Sequence, residues 1–319
     1  IAQLCGVSIA TVSRVINNPE LTSPKTRNLV MKVIEENNYV PNLLAKNIFS
    51  KQSNTIALFV YEMENPFFLY LIKTLNHLAF DNKYTLIICN TENNKERELE
   101  YLRYCQSTRV FGLIITEGTS WETCDKAAST MKIVLLDRMV ENCSYPSVSS
   151  DNYGGIQKAI DYLNNLNHKK IAFVAGDQNE FSSYDRLNSF VSIMKKKGYE
   201  LPKEYIYYGS YSIETGSQAL DQFFLSKDKP TAVICSNDVI ARGMIYRAQT
   251  LGINVPNDLS IIGFDGVPNQ FIYPKLTSIK QDIETISHTL IEEVASKSLH
   301  SKRHIVPVNL VIGDTCRKI

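Results

Sequence analysis

Residues 6–17 read GVSIATVSRVIN. Gly6-Val7 breaks a short helical pattern in which Ile1, Leu4 and Cys5 share a face, and Ser8 stands where it can cap the helix that follows. Val12, Val15 and Ile16 give this second helix an apolar stripe, and Asn17-Asn18-Pro19 ends it. Ile9, Ala10 and Arg14 point away from that stripe. A third helix is predicted from Ser23-Pro24, with proline suited to its first position and Leu29, Val30, Val33 and Ile34 facing inward. Two short helices joined by a tight turn and backed by a third make the outline of a helix-turn-helix domain.

From Thr55 onward the pattern changes. Apolar runs at 55–61 (TIALFVY), 84–90 (YTLIICN), 111–116 (FGLIIT), 132–137 (KIVLLD), 170–175 (KIAFVA), 231–236 (TAVICS) and 259–264 (LSIIGF) read as strands. Helical spacings lie between them, such as Phe68, Leu71, Leu75, Leu78 and Leu187, Phe190, Val191, Met194. Strands that are apolar on both faces and alternate with helices predict parallel sheets covered on both sides. Two such series predict two doubly wound lobes, with a ligand cleft beyond the carboxyl ends of their strands.

Composition narrows the class without naming a partner. Of 319 residues 44% are hydrophobic and 21% charged, which excludes a disordered, collagen-like or coiled-coil chain. The length exceeds what one core usually serves, so two or three domains are expected. No apolar run approaches the roughly 18 residues of a membrane span. The formal charge is +1, from 34 basic and 33 acidic side chains, but it is unevenly spread. Residues 1–54 hold six basic side chains (Arg14, Lys25, Arg27, Lys32, Lys46, Lys51) against three acidic (Glu20, Glu35, Glu36), a net of +3. The rest nets −2, so a basic headpiece is joined to a slightly acidic core.

Seven cysteines (Cys5, Cys89, Cys105, Cys124, Cys143, Cys235, Cys316) form no C-x-x-C pair and have no histidine at zinc-ligand spacing. They read as buried thiols in a reducing compartment, and neither a metal site nor a cofactor motif is expected. No nucleophile elbow, phosphate loop or poised acid–base pair is visible, so an enzyme ranks last.

The motif at 6–17 is followed by Tyr39-Val40-Pro41-Asn42 and Ala45-Lys46-Asn47-Ile48, then Asn65-Pro66-Phe67-Phe68 and Leu136-Asp137-Arg138. Further on come Asp151-Asn152-Tyr153-Gly154-Gly155, Asn237-Asp238, the run from Gly252 to Asp258, Gly263-Phe264-Asp265 and Pro274-Lys275-Leu276-Thr277. This ordered set resembles the LacI/GalR family of bacterial transcription regulators over essentially the whole chain. The resemblance implies an all-α helix-turn-helix headpiece and a periplasmic-binding-protein-like α/β core of two doubly wound parallel-sheet lobes. The expected divisions are 1–40 for the DNA-binding domain, 41–54 for the hinge helix and linker, and 55–319 for the core. Within the core, about 55–150 and 280–312 form the first lobe and about 151–279 the second.

By the same resemblance, Ile9, Ala10 and Arg14 read bases, through thymine methyls and the guanine O6/N7 edge. Ser8, Thr11, Ser13 and Asn17 bind phosphates or cap helices, and for Ser8 the two roles are equally supported. Ile48 aligns with the minor-groove wedge of the hinge, usually leucine; the alternative is packing on the neighbouring lobe. Effector contacts are carried over to Phe67, Asp137, Arg186, Tyr211, Asn237, Asp238 and Asp265, residues able to bond hydroxyls or stack on a ring. For Asn237 a simple helix cap is an equal alternative, and Asp151 and Asn152 are taken as structural.

The family pattern departs at Gly313, where an arginine is usual. Ile1 opens the chain inside a helical pattern, so preceding residues are expected; the C-terminus carries no leucine heptad, so a homodimer is expected. The implied protein is a cytoplasmic repressor that binds pseudo-palindromic operator double-stranded DNA under control of a small effector, a carbohydrate or sugar phosphate. A purine-responsive, corepressed regulator and a periplasmic-type solute-binding protein are the alternatives.

Overall fold

The computed structural model describes residues 1–39, 53–116, 120–138, 145–268, 273–296 and 302–319. Contacts divide the chain into two units, Ile1–Gln52 and Ser53–Ile319. The predicted hinge falls almost wholly on residues 40–52, and with it Ile48, which lies outside the described residues.

In the first unit, α1 (Ala2–Cys5), α2 (Ile9–Asn17) and α3 (Pro24–Glu36) close on Cys5, Val12, Val15 and Val30. Gly6 ends α1 at φ +63°, its N–H on the carbonyl of Gln3. That left-handed turn strains any residue with a Cβ. Ser8 and Ser23 cap α2 and α3, accepting from Thr11 N at 3.0 Å and Thr26 N at 3.2 Å. The Arg27 guanidinium is folded onto the intervening turn, donating to the carbonyls of Pro19 and Thr22. This arginine, one of the six basic residues of the headpiece region, therefore serves the fold.

The second unit repeats one wiring twice. The first sheet runs β11-β5-β4-β3-β1-β2, with β1 Thr55–Val60, β2 Thr85–Asn90, β3 Gly112–Ile115, β4 Lys132–Leu136, β5 Ser147–Ser150 and β11 Arg303–Val306. The second runs β12-β10-β9-β8-β6-β7, with β6 Ile171–Ala175, β7 Ile206–Tyr208, β8 Ala232–Cys235, β9 Ser260–Asp265, β10 Thr277–Lys280 and β12 Asn309–Val311. All pairings are parallel except β10 with β12. Alternating side chains bury both faces of each sheet: Ile56, Leu58 and Val60 face α4 (Pro66–Asp81) and α11 (Ile283–Ala295), while Ala57 and Phe59 face α5 (Lys95–Ser107) and α6 (Trp121–Ala128). In the second sheet Ile171 and Phe173 face α7 (Asn152–Asn165) and α8 (Phe181–Lys196), and Ala172 and Val174 face α9 (Ile213–Leu225) and α10 (Asp238–Thr250). Each fully buried large side chain in these layers contributes roughly 1.5–3 kcal/mol.

Apolar runs alone marked seven strands, whereas the described residues contain twelve. The five others are short, polar or at an edge, as in Ser147–Ser150 (SVSS) and Asn309–Val311. One expected boundary needs correction. Residues 309–311 were expected in the first lobe, yet β12 pairs antiparallel with β10, Ser278 opposite Val311, in the second sheet. Only residues 307 and 308 separate β11 from β12, so the chain changes sheets in a step too short to leave a periodicity signal.

The C-terminal segment is pinned to the second lobe. Thr315 Oγ1 donates to the Ile261 carbonyl at 2.6 Å, and buried His168 has Nε2 3.0 Å from the Arg317 carbonyl and Nδ1 2.9 Å from Thr231 Oγ1. A carbonyl only accepts, so Nε2 carries a proton, while the Thr231 hydroxyl lies between Nδ1 and the Lys170 carbonyl, 3.3 Å away. Burial holds this imidazole below its ordinary 6.5, with the Arg317 carbonyl opposing. The unfolded chain therefore takes up the proton first as pH falls. The stability contributed by the neutral ring is complete above about pH 6.5 and is lost on acidification below it. Melting curves between about pH 7 and pH 5 should fall less steeply for His168→Gln than for wild type; identical slopes would remove His168 from this role.

Candidate functional site

On α2 the side chains divide cleanly. Val12 and Val15 are buried, while Ile9, Ala10, Ser13, Arg14 and Asn17 are exposed. Ile9 is 80% exposed, an unusual placement for so large an apolar side chain unless something covers it. Ser8 is the cap of α2 and lies 2.9 Å from Thr11 Oγ1. Asn17 Nδ2 donates to the Ser13 carbonyl at 2.9 Å, so its amide is folded along the helix.

The second unit contains a cleft where strands of both sheets end. Six residues expected there from sequence line it: Phe67, Asp137, Arg186, Tyr211, Asn237 and Asp265. The topology explains the convergence. In each sheet the first strand of the repeat lies between the second and third, and the loops leaving such a switch point diverge to open a crevice. Phe67 starts α4, Asp137 follows β4, Arg186 projects from α8, Asn237 follows β8 and Asp265 ends β9. Both carboxylates sit at positive φ, +49° for Asp137 and +125° for Asp265. Non-glycine residues are held this way at a cost of about 1–3 kcal/mol, and such strain collects at functional sites.

Arg186 is 3% exposed. Its Nε donates to Asn152 Oδ1 at 2.9 Å and its Nη1 to the Ser236 carbonyl at 2.7 Å; its guanidinium stacks 3.7 Å from the Phe264 ring centre. Nη1 also lies 3.8 Å from Asp265 Oδ1. Asn152 thus orients the arginine, while Asp151 caps α7 by accepting from Gly154 N at 2.8 Å. Asn237 caps α10 through Oδ1, at 2.9 Å from Ile240 N, leaving its Nδ2 buried without a partner. Burial raises both Asp137 and Asp265 above the usual carboxylate range against the pull of Arg186, and Asp265 is raised far.

Asp238, also expected to touch a ligand, is not among the lining residues. It turns inward, Oδ1 accepting from Ser278 Oγ at 2.6 Å and Oδ2 from Val267 N at 3.1 Å. Gly263 makes room for it, since a Cβ there would stand 2.2 Å from Asp238 Oδ1. Burial pushes this carboxyl up to about 6, opposed by those hydrogen bonds and by Arg242.

Sequence reasoning missed Tyr61, Asn65, Thr116, Leu136, Ser182 and Gln281. Phe68, read as part of its helix's apolar stripe, packs in that core and lines the cleft as well, meeting Tyr61 and Phe67 edge to face at 5.3 Å and 5.5 Å. Tyr61 and Thr116 share one signal, the residue following a buried strand. Gln281 had none. Among the described residues no group of three His, Cys, Asp or Glu side chains is placed to hold a metal ion, and no helix is long and apolar enough to cross a membrane.

A three-helix unit with a helix-turn-helix outline, followed by a two-lobed α/β core with a polar cleft, defines a ligand-controlled DNA-binding regulator. Residues 1–42 match the bacterial regulatory proteins of the lacI family, and residues 160–316 match the periplasmic binding protein-like domain. The HTH-type transcriptional repressor PurR of Vibrio vulnificus (strain CMCP6) is 32% identical over 330 residues, covering 100% of this chain and 98% of its own. The HTH-type transcriptional regulator DegA of Bacillus subtilis (strain 168) is 32% identical over 323 residues, covering 98% and 95%. The crystal structure of the lac repressor dimer bound to operator and the anti-inducer ONPF has a TM-score of 0.86 at 24% identity, covering 99% of this chain and 97% of that one. The protein belongs to the LacI family of bacterial transcription regulators. It is a DNA-binding transcriptional repressor with an effector-binding core. The two relatives are transcriptional regulators rather than enzymes.

Proposed function

We infer that the protein acts in the cytoplasm as a homodimer, that each α2 reads one half of a pseudo-palindromic operator, and that a small uncharged hydroxylated ring, a carbohydrate, is the effector. Ile9, Ala10 and Arg14 meet base edges; Ser8, Thr11, Ser13 and Asn17 serve phosphate contacts and helix capping; Ile48 enters the minor groove. The exposure of Ile9 and Arg14 opposite the buried Val12 and Val15 supports the first assignment.

The observation that carries the effector reading is a pair of buried polar atoms without partners in the cleft, Asn237 Nδ2 and Asp265 Oδ2. Leaving such groups unpaired costs about 1–3 kcal/mol each, which a hydroxylated ligand recovers by bonding them. The rings of Phe67, Phe68 and Tyr211 suit the apolar face of a sugar. Arg186 is the one cation among the described lining residues, and Asp137 and Asp265 already face it, so no charge remains to hold a phosphate. A purine is the second reading, favoured by the same aromatic faces.

Effector binding between the lobes changes their relative orientation and so decides whether two hinge segments can pair on DNA. The ligand shifts this equilibrium only by its differential affinity, typically about 1–3 kcal/mol, and release from the operator is the expected sign. Thermal shift with monosaccharides and disaccharides, their phosphates, and purine bases tests the class. A ligand at about 100 times its Kd stabilises by about 2.7 kcal/mol. A neutral sugar is expected to raise Tm and release operator DNA; a rise with a sugar phosphate but not its parent sugar would overturn the uncharged class.

A further inference from the structure

The cleft brings two buried carboxyls to one guanidinium. Asp137 is 6% exposed and Asp265 3%, beside Arg186 at 3%. The two acids differ in what surrounds them. Ser150 N donates to Asp137 Oδ1 at 3.4 Å. Asp265 Oδ1 accepts from Gln281 Nε2 at 2.7 Å and stands 3.8 Å from Arg186 Nη1, but its Oδ2 is buried with no hydrogen-bond partner. An ionised oxygen in that position would be desolvated with nothing in exchange, whereas a hydroxyl there loses far less.

The charged neighbours point the same way. Arg186 and Asp185 come from α8, Asp137 from the end of β4, and Asp238 with Arg242 from α10. Lys280 is in register with Asp265 on β10 but is exposed to solvent. Gln281, from the crossover that follows β10, is neutral. Asp238 and Asp137 both disfavour a charge on Asp265, and burial disfavours it most. Arg186, whose Nε and Nη1 serve Asn152 and the Ser236 carbonyl, stands 3.8 Å from Asp265, beyond hydrogen-bond reach, and does not offset that burial.

We propose that Asp265 is a neutral carboxylic acid in the effector-free protein near neutral pH, with Asp137 the carboxylate of the two. The Oδ2 hydroxyl of Asp265 is then a second donor in the cleft that Asn237 Nδ2 lines, and the two determine specificity by requiring hydrogen-bond acceptors on the ligand. That last step rests on the cleft being the effector site; the protonation state does not.

The test is infrared spectroscopy of the full chain without ligand, near pH 7.5, in a Glu62→Gln parent. That substitution removes the Glu62 carboxyl, which burial pushes up to about 7, and Asp238, at about 6, is mostly ionised there. A protonated-carboxyl stretch is expected in the parent, retained in Asp137→Asn and lost in Asp265→Asn. Absence of the band from the parent, its loss in Asp137→Asn, or its retention in Asp265→Asn overturns the proposal. Should Asp265→Asn not fold, the parent and Asp137→Asn still decide it, since the band must be present in both. A ligand screen that found nothing would count against the effector cleft and leave this result untouched.

Discussion

Arg186→Ala is expected to erase the effector response while leaving operator binding in place, and to destabilise the core by about 3–5 kcal/mol. The guanidinium is 3% exposed, bonds Asn152 and the Ser236 carbonyl and stacks on Phe264. Its removal takes away the cation that Asp137 and Asp265 both face and leaves the Ser236 carbonyl short of a donor. Arg186→Lys should rescue neither property, because an ammonium has no planar fork to span Asn152 and Ser236 and no flat face for Phe264. Urea unfolding measures the first effect, and operator titration with and without the sugar identified by thermal shift measures the second. Wild-type effector affinity in Arg186→Ala would remove the arginine from the binding site.

Arg14→Ala should weaken binding to the cognate operator by about 1–3 kcal/mol and relax preference at one base pair, with little change on scrambled DNA. Arg14 is exposed on the face of α2 opposite Val12 and Val15, so its loss costs the headpiece no packing. A phosphate contact would behave differently, weakening both DNAs alike and reducing the salt slope by about one charge. Competition titrations on the two DNAs at several salt concentrations separate these outcomes. Equal losses on both would reassign Arg14 from base reading to backbone attraction. Arg27→Ala is the useful contrast, since that guanidinium is bonded to the Pro19 and Thr22 carbonyls and its loss should appear as headpiece instability.

Much of the architecture was legible because its signals are local. Ser8 and Ser23 cap the helices they precede, Gly6 and Pro19 break the chain where the turns fall, and the buried strands are continuous apolar runs. Strands such as SVSS at 147–150 were not legible, because their burial comes from neighbours supplied by distant segments. β12 escaped for a related reason: which sheet receives a three-residue strand depends on the edge it can reach, here Thr277–Lys280, and not on its own residues.

The cleft divides along the same line. Residue types and ordered motifs determined, without coordinates, that a helix-turn-helix unit precedes a two-lobed core, and they picked out Asp137, Arg186, Asn237 and Asp265 as polar groups at strand and helix ends. Tertiary structure alone decided which of those groups face one cavity. Adjacent residues diverge at a strand end, so Asn237 lines the cleft while Asp238 turns toward Ser278 into space that Gly263 leaves. Tyr61 and Gln281 join the site through topology, one from the end of β1 and the other from the crossover after β10. The physical reason is that side-chain direction follows backbone angles and the space left by distant neighbours, such as the positive φ at Asp137 and Asp265. Neither is written in a periodicity.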